Sequence, residues 1–557
     1  FYDNDLYVVV GKIHGVLVYV LSLEEGNSAA NIAVAVEKTM GGVARIDDSQ
    51  VNSKTPSLPP PNVANATPSA GSSSVQRNPH FYIERARDLV VAMSLHAEPT
   101  KSMVCELAYS SMDELSKVAV AGEPLWQPRK GYKFKTMDDT EYRKSFRPHE
   151  EPINELQIDA SRDMKIVNMN APDIVHLLMN VTEWSRTFYD IVSRGAFLGV
   201  FKSGVGGSYD GKLQVMTAEF QFPSPFLATR ECYFGRYCKK LSNKMWGVVD
   251  FSLEKMFPDS NTNFLRRPSG CLIKELSNEY SEVIWVEHAV DRIRYHIQFR
   301  PVVYSGLAFG ASRWLASLVR RVEYSEPPTP MPVLYHGKAL TQAGKIGLLN
   351  VASRMMRSFY DDMNASSKNR WMHVGSLVDS QEVKIRVKDI AKDCGTGNPK
   401  GTKVFFSTFV SLPTPPKRLF DFLRVSDSRK KDGGQQFMVY LQESYIDTST
   451  GCSYVVYSPI EKLTLSNLIN GRNPHVAIES SGFTIVPDGK TDEDHDNNSN
   501  SDPNGGGGSI LTISFCIMTR PTHPTSFFVS PAELARFNEL STYTINAIKG
   551  AVLQNNV

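Results

Sequence analysis

Arg236 is the side chain in this sequence that most demands a chemical explanation. It stands in a strand-like run, Arg230–Lys240, where Cys232, Phe234, Arg236 and Cys238 alternate onto one face. The other three are apolar, so the guanidinium faces a core, and an unpaired buried charge costs several kcal/mol. A charged or polar partner is therefore expected beside it. The remaining reactive side chains offer less. His288 would serve catalysis only with a nucleophile and an orienting acid nearby, and Glu287 alternates to the opposite strand face, so a satisfied structural histidine is the expectation. No G-x-S-x-G elbow, Cys/His site or metal-ligand set occurs, which argues against an enzyme. The G-x-G-G run at Gly204, Gly206 and Gly207, with Gly211 behind it, precedes a strand rather than a helix, and predicts tight turns, not a phosphate cradle.

Arg236 belongs to a series of short β-like runs, Leu213–Phe222, Arg230–Lys240, Trp246–Leu253, Cys271–Leu276 and Val283–His288. They end in a helix-period segment, Leu307–Val322, with Leu307, Ala311, Trp314, Leu318 and Val322 on one face and Arg313, Arg320 and Arg321 off it. Consecutive strands closed by one long helix predict an α+β helix-grip fold, a curved antiparallel sheet around a C-terminal helix. Asn170-Ala171-Pro172-Asp173 starts an earlier helix, with Asn as cap and Pro in the first turn. Val104, Leu107, Ser111, Leu115 and Val118 mark another, stopped by Gly122.

The second half repeats the pattern. Ile346, Leu349, Met356, Phe359 and Met363 open it as a helix. Thr414-Pro415-Pro416 and Ser530-Pro531-Ala532-Glu533 start two more, and β-like runs lie between them. Two copies of one architecture are expected. The chain's 557 residues suit several domains. Residues 1–48 stay unassigned. Residues 49–78 are a Ser/Pro-rich linker, 326–344 a Pro-rich one, and 490–508 a disordered loop. The ordered domains run over 79–325 and 345–555. Leu6–Leu23 is apolar but interrupted by Lys12 and His14, and its β-branched residues fit strands better than a membrane span of ~20 apolar residues. The net charge of +2 excludes a dominant nucleic-acid-binding surface. Seven cysteines, odd in number and without C-x-x-C, fit reduced buried thiols.

Several motifs carry a family resemblance. Ser110-Ser111-Met112-Asp113-Glu114-Leu115, Glu123-Pro124-Leu125-Trp126, Gly211–Glu219, Arg236-Tyr237-Cys238-Lys239, Pro268-Ser269-Gly270-Cys271, Trp285-Val286-Glu287-His288 and Ser305–Gly310 resemble, in order, the START domain of plant class IV homeodomain–leucine zipper proteins. Pro415–Arg424, Leu441-Gln442-Glu443-Ser444 and Ser481-Gly482-Phe483 are similar to the START-adjacent domain of that family. No Trp-Phe-x-Asn recognition helix or zipper heptad occurs, and a piece of the second sheet looks deleted near 430–436.

The resemblance implies a lipid or sterol ligand, no cofactor, and a nuclear or cytoplasmic regulatory role with dimerisation among related proteins. The missing recognition helix, a departure from the family, leads to the expectation that this chain does not itself bind DNA. The resemblance also implies that Glu219 and Arg236 form a buried pair inside a cavity lined by Phe234, Trp285, Trp314 and Leu307. The alternatives are a fragment of a DNA-binding homeodomain transcription factor and, remotely, a hydrolase on the same fold.

Overall fold

The computed structural model describes residues 7–13, 16–23, 86–94, 98–129, 134–147, 157–253, 256, 264–325, 334–335, 338–339, 341–374, 382–389, 402–424, 438–472, 478–490, 507–519 and 531–553. The predicted linker 49–78, most of the Pro-rich segment and of the 490–508 loop, and the site of the apparent deletion lie outside these residues.

The chain opens with strands β1 (Tyr7–Ile13) and β2 (Val16–Leu23). Helices α1 (Ala86–Ser94) and α2 (Glu98–Val120) follow. Val104, Ser111, Leu115 and Val118 are buried as their spacing predicts, whereas Leu107 is exposed. Next come β3 (Trp126–Pro128), β4 (Lys135–Met137), α3 (Asp139–Phe146) and β5 (Gln157–Val167). Helix α4 (Ala171–Met179) begins where the sequence places it, with the Asn170 side chain accepting from the Asp173 N–H, and α5 (Val181–Thr187) continues it. The first domain is completed by β6 (Val192–Lys202), β7 (Leu213–Phe220), β8 (Arg230–Ser242), β9 (Met245–Ser252), β10 (Phe264–Arg266), β11 (Ser269–Glu275), β12 (Ser281–Asp291), α6 (Arg300–Tyr304) and α7 (Ala311–Ser325).

Its sheet runs β3-β4-β5-β12-β11-β9-β8-β7-β6, with β10 also pairing to β12. All of these pairings are antiparallel. Helix α7 lies across β5 and β12, while α2 packs on the other face, over β8, β9, β11 and β12. This is the helix-grip arrangement. The grip helix starts at Ala311 rather than Leu307: Gly306, at a left-handed φ of 80°, closes α6, the Leu307 and Ala308 N–H groups bond back to the Val302 carbonyl, and the Ser161 hydroxyl accepts from the Ala311 N–H.

The second domain contains the short pair β13 (Leu334–Tyr335) and β14 (Lys338–Ala339), α8 (Gln342–Met363), β15 (Met372–Val374), β16 (Val383–Asp389), β17 (Thr402–Leu412) and α9 (Pro416–Arg424). Strands β18 (Met438–Ile446) and β19 (Ser453–Ile460), α10 (Lys462–Ile469), β20 (Ser481–Pro487), β21 (Ser509–Thr519) and α11 (Pro531–Leu553) follow. Helix α8 buries Leu348, Val351, Met355, Met356, Phe359 and Met363, but Ile346 is exposed, so its apolar face is rotated from the one expected. Phe537 of α11 stacks on Phe406 of β17 at 4.3 Å between centroids, the second domain's own version of the grip.

The second sheet runs β1-β2-β18-β19-β20-β21-β17-β16-β15. The N-terminal residues that gave no domain assignment thus belong to the sheet of the second domain, where β2 pairs with β18 from Leu23↔Met438 to Leu17↔Ser444.

The two domains share a tight interface. Phe409 packs on Phe226 at 4.7 Å and on Phe299 at 5.3 Å between centroids. The Ser366 hydroxyl donates to Glu219 at 2.8 Å, the Asn364 amide donates to Gln221, and the Thr512 hydroxyl bonds that of Ser224 at 3.2 Å. Among the described residues no helix is long and apolar enough to cross a membrane.

Candidate functional site

Three tryptophans from three elements meet between the first sheet and its grip helix. Trp314 of α7 stacks over Trp285 of β12 at 5.2 Å and over Trp184 of α5 at 6.1 Å. All three are buried, as are Phe234 on β8 and Leu307 in the turn before α7, and all five belong to one apolar cluster. Aromatic stacks of this kind add about 0.5–1.5 kcal/mol each beyond the area they bury. Of the predicted lining residues, Phe234, Trp285, Trp314 and Leu307 are therefore brought together.

Arg236 enters this cluster from β8, with its guanidinium 4.4 Å from the Trp184 ring centroid. Its partner is Asp250, not Glu219. Strands β8 and β9 pair in a register that sets Arg236 opposite Asp250. The Arg236 Nε donates to Asp250 Oδ1 at 2.7 Å, Nη2 to Oδ2 at 2.7 Å, and Nη1 to the Leu178 carbonyl at 2.6 Å.

The expected Glu219–Arg236 pair does not form. On β7, Glu219 stands opposite Glu231, while Arg236 stands opposite Gln214, so the two are separated by the length of five strand residues, roughly 17 Å. Glu219 is buried but meets hydroxyls: Thr229 Oγ1 at 2.8 Å, Ser193 Oγ at 3.0 Å and Ser366 Oγ at 2.8 Å. It faces the second domain, not the aromatic cluster's charged partners.

Sequence reasoning missed most of the charged network. Arg266, on β10, donates through Nη1 to Asp250 Oδ2 at 2.6 Å and through Nη2 to Glu287 Oε1 at 2.6 Å, and the Trp285 indole N–H donates to the same Glu287 oxygen at 2.8 Å. Arg230 donates to Asp159 at 2.9 Å, to Asp291 at 2.7 Å and to the Tyr295 hydroxyl at 2.9 Å, with its guanidinium 4.4 Å from the Phe309 ring centroid. Burial pushes the Asp159 and Glu287 carboxyls up, and their arginine partners oppose that shift. Asp159 Oδ1 and Asp291 Oδ1 are buried without a hydrogen-bond partner. The alternation that flagged Arg236 applies equally to Arg230, six residues earlier on β8, and was the available signal for this half of the network.

The core is thus apolar at one end and ionic at the other. A cavity of about 10 Å³ lies among Asp159, Phe220, Arg230, Arg266, Glu287 and Phe309, room for about one water. A second cavity, of about 50 Å³, lies between the domains, bounded by Asp190, Arg313 and Arg320 on one side and Tyr360, Tyr445 and Tyr454 on the other.

His288 sits on the opposite sheet face, its ring 4.6 Å from that of Tyr142 and its Nε2 without a hydrogen-bond partner. Burial, then the positive charges of Arg267 and Arg147, hold its pKa well below the ordinary value of 6.5. The unfolded chain takes up a proton near 6.5 that the folded chain refuses. Stability from this group is therefore complete above that pH and is lost as pH falls below it, by at most about 1.4 kcal/mol per pH unit. Urea midpoints at pH 7.5 and 5.5 should differ less in His288→Gln than in the parent; equal differences would remove His288 as the source.

Family comparisons match residues 106–323 to the START domain, and residues 341–433 and 425–554 to the PDF2-like, C-terminal domain. The chain is 32% identical over 490 residues to the homeobox-leucine zipper protein HDG3 of Arabidopsis thaliana, which covers 81% of this chain and 65% of that protein. It is 32% identical over 491 residues to the homeobox-leucine zipper protein ANTHOCYANINLESS 2 of the same plant, covering 81% and 60%. It therefore spans less than two thirds of the length of either relative. Among solved structures, human StAR-related lipid transfer protein 5 is similar at 16% identity with a TM-score of 0.25, over 40% of this chain and 98% of that one.

Proposed function

The chain joins a START domain to a PDF2-like C-terminal domain in a relative of the class IV homeodomain–leucine zipper proteins, and from this we propose that it is a non-enzymatic, lipid- or sterol-binding regulatory module of a transcriptional regulator. The observation that carries the reading is the two-ended core between sheet and grip helix. The tryptophan stack suits an apolar ligand body, whose burial contributes about 25 cal/mol per Å². The arginines beside it suit a polar headgroup. A lipid is far larger than the about 10 Å³ beside Arg230. On this reading ligand entry moves α7 or the loop at 221–229 away from the sheet. On this reading the module works in the nucleus through association with related proteins, a reading supported by its homeobox-leucine zipper relatives.

Native mass spectrometry of the full chain from two expression hosts tests the proposal. A discrete lipid-sized mass increment that disappears on denaturation is expected, and a bare chain mass from both hosts overturns it. A second reading, in which these domains work inside a longer DNA-binding homeodomain protein, is favoured by the relatives' names and greater length. The transcript sequence upstream of Phe1 decides between the two.

A further inference from the structure

The two sheets have the same order. Aligned from the strand that precedes each Pro-started helix, β5 corresponds to β17, β12 to β21, β11 to β20, β9 to β19 and β8 to β18. The next two positions in the first sheet are β7 and β6. In the second sheet they are β2 and β1.

The correspondence extends to direction. In the first sheet the chain enters at the edge strand, turns back antiparallel beside it, and pairs antiparallel with β8. The N-terminal ribbon runs β1 to β2 in the same sense, antiparallel to each other and then to β18. What differs is where these strands sit in the sequence. Between α5 and β8 the first domain has residues 188–229, which hold β6 and β7. Between α9 and β18 the second domain has only residues 425–437, fewer than β1 and β2 contain between them, before any turn is counted. The family match to the second domain is also split into two stretches that meet here, 341–433 and 425–554.

We propose that residues 7–13 and 16–23 replace, from the N-terminal end of the chain, the two strands that the second domain omits between α9 and β18. The β18 edge is thus a strand-acceptor surface, and its occupant is this chain's own N-terminal ribbon, held by backbone pairing along residues 438–444. Without the ribbon, β18 presents a row of unpaired N–H and C=O groups, the kind of edge that captures another chain. The long sequence separation does not forbid the pairing, because closure entropy rises only with the logarithm of loop length.

Two experiments on the full chain test this. Leu17→Cys with Ser444→Cys places thiols at directly opposed positions. Mild oxidation should give a monomer in which mass spectrometry finds residues 17 and 444 linked. Ser22→Cys with Ser444→Cys, displaced by about 17 Å along the strand, should give at least tenfold less. No excess over this control overturns the proposal, and so does a link found only between two copies.

The second variant, Tyr19→Pro with Val20→Pro, removes adjacent ladder N–H groups that point to the two neighbouring strands. Hydrogen exchange in peptides covering 438–446 should accelerate at least tenfold, while 213–220 keeps its protection. Unchanged protection at 438–446 overturns the proposal.

Discussion

Replacing Asp250 by alanine is expected to destabilise the START domain by about 3–5 kcal/mol, a large part of the stability of an ordinary domain. Among the described residues, Asp250 is the one carboxylate shared by two buried guanidinium groups, Arg236 at 2.7 Å and Arg266 at 2.6 Å. Its removal leaves Arg236 with only the Leu178 carbonyl, while Arg266 keeps Glu287. The loss comes mainly from charge left uncompensated in an apolar site, so it should be partly recovered when Arg236→Met is added to Asp250→Ala. Glu219→Gln is the natural contrast. Glu219 accepts from three hydroxyls and pairs with no cation at these positions, and an amide oxygen still accepts, so a loss of about 1 kcal/mol is expected. Urea unfolding followed by tryptophan fluorescence reads both, since Arg236 lies against Trp184. Equal losses for the two single variants would show that the ionic core is not centred on Asp250.

That contrast marks how far the sequence could be read. The strand runs and Pro-started helices were legible because their signals are local: alternation, a capping Asn170, a proline in the first turn. Arg236 was legible as a buried charge for the same reason. Its partner was not, because Asp250 and Glu219 are distinguished only by hairpin register, a pairing property that neither strand contains alone. Arg266 was hidden differently. It lies in a strand of 3 residues, too short to show any period. Residues 7–23 carried a strand-like composition, but their partner is more than 400 residues away. Periodicity announces a strand without naming its neighbour.

The grip helix shows the same limit on its polar face, and a large effect follows from it. Arg313 and Arg320 fall off the apolar stripe, which for an isolated domain means solvent. Here the second domain covers them, and both are buried. Arg320 pairs with Asp190 at 2.9 Å, and its guanidinium lies 5.4 Å from the ring centroids of both Tyr189 and Tyr445. Burial alone would lower its pKa, but Tyr189 and Asp190 hold it well above the ordinary value, so the cation persists.

Arg320→Ala strands the Asp190 carboxylate between the domains with Ser317 still donating at 2.6 Å, at an expected cost of about 3–5 kcal/mol. Asp190 and Tyr189 lie in the first domain and Tyr445 and Tyr454 in the second, so the cost is shared between the first domain and the interface. Calorimetry of the parent should show one cooperative transition. Arg320→Ala should split it in two, while Arg321→Ala, at an exposed position on the same helix, should shift it by no more than about 0.5 kcal/mol. A single transition in Arg320→Ala, displaced no further than in Arg321→Ala, would mean that the domains are joined by the Phe409 contacts and the Ser366–Glu219 bond rather than by the contacts of Arg320 with Tyr445 and Tyr454. If the split occurs, the same arginine ties the grip helix to β18, the strand on which the N-terminal ribbon pairs.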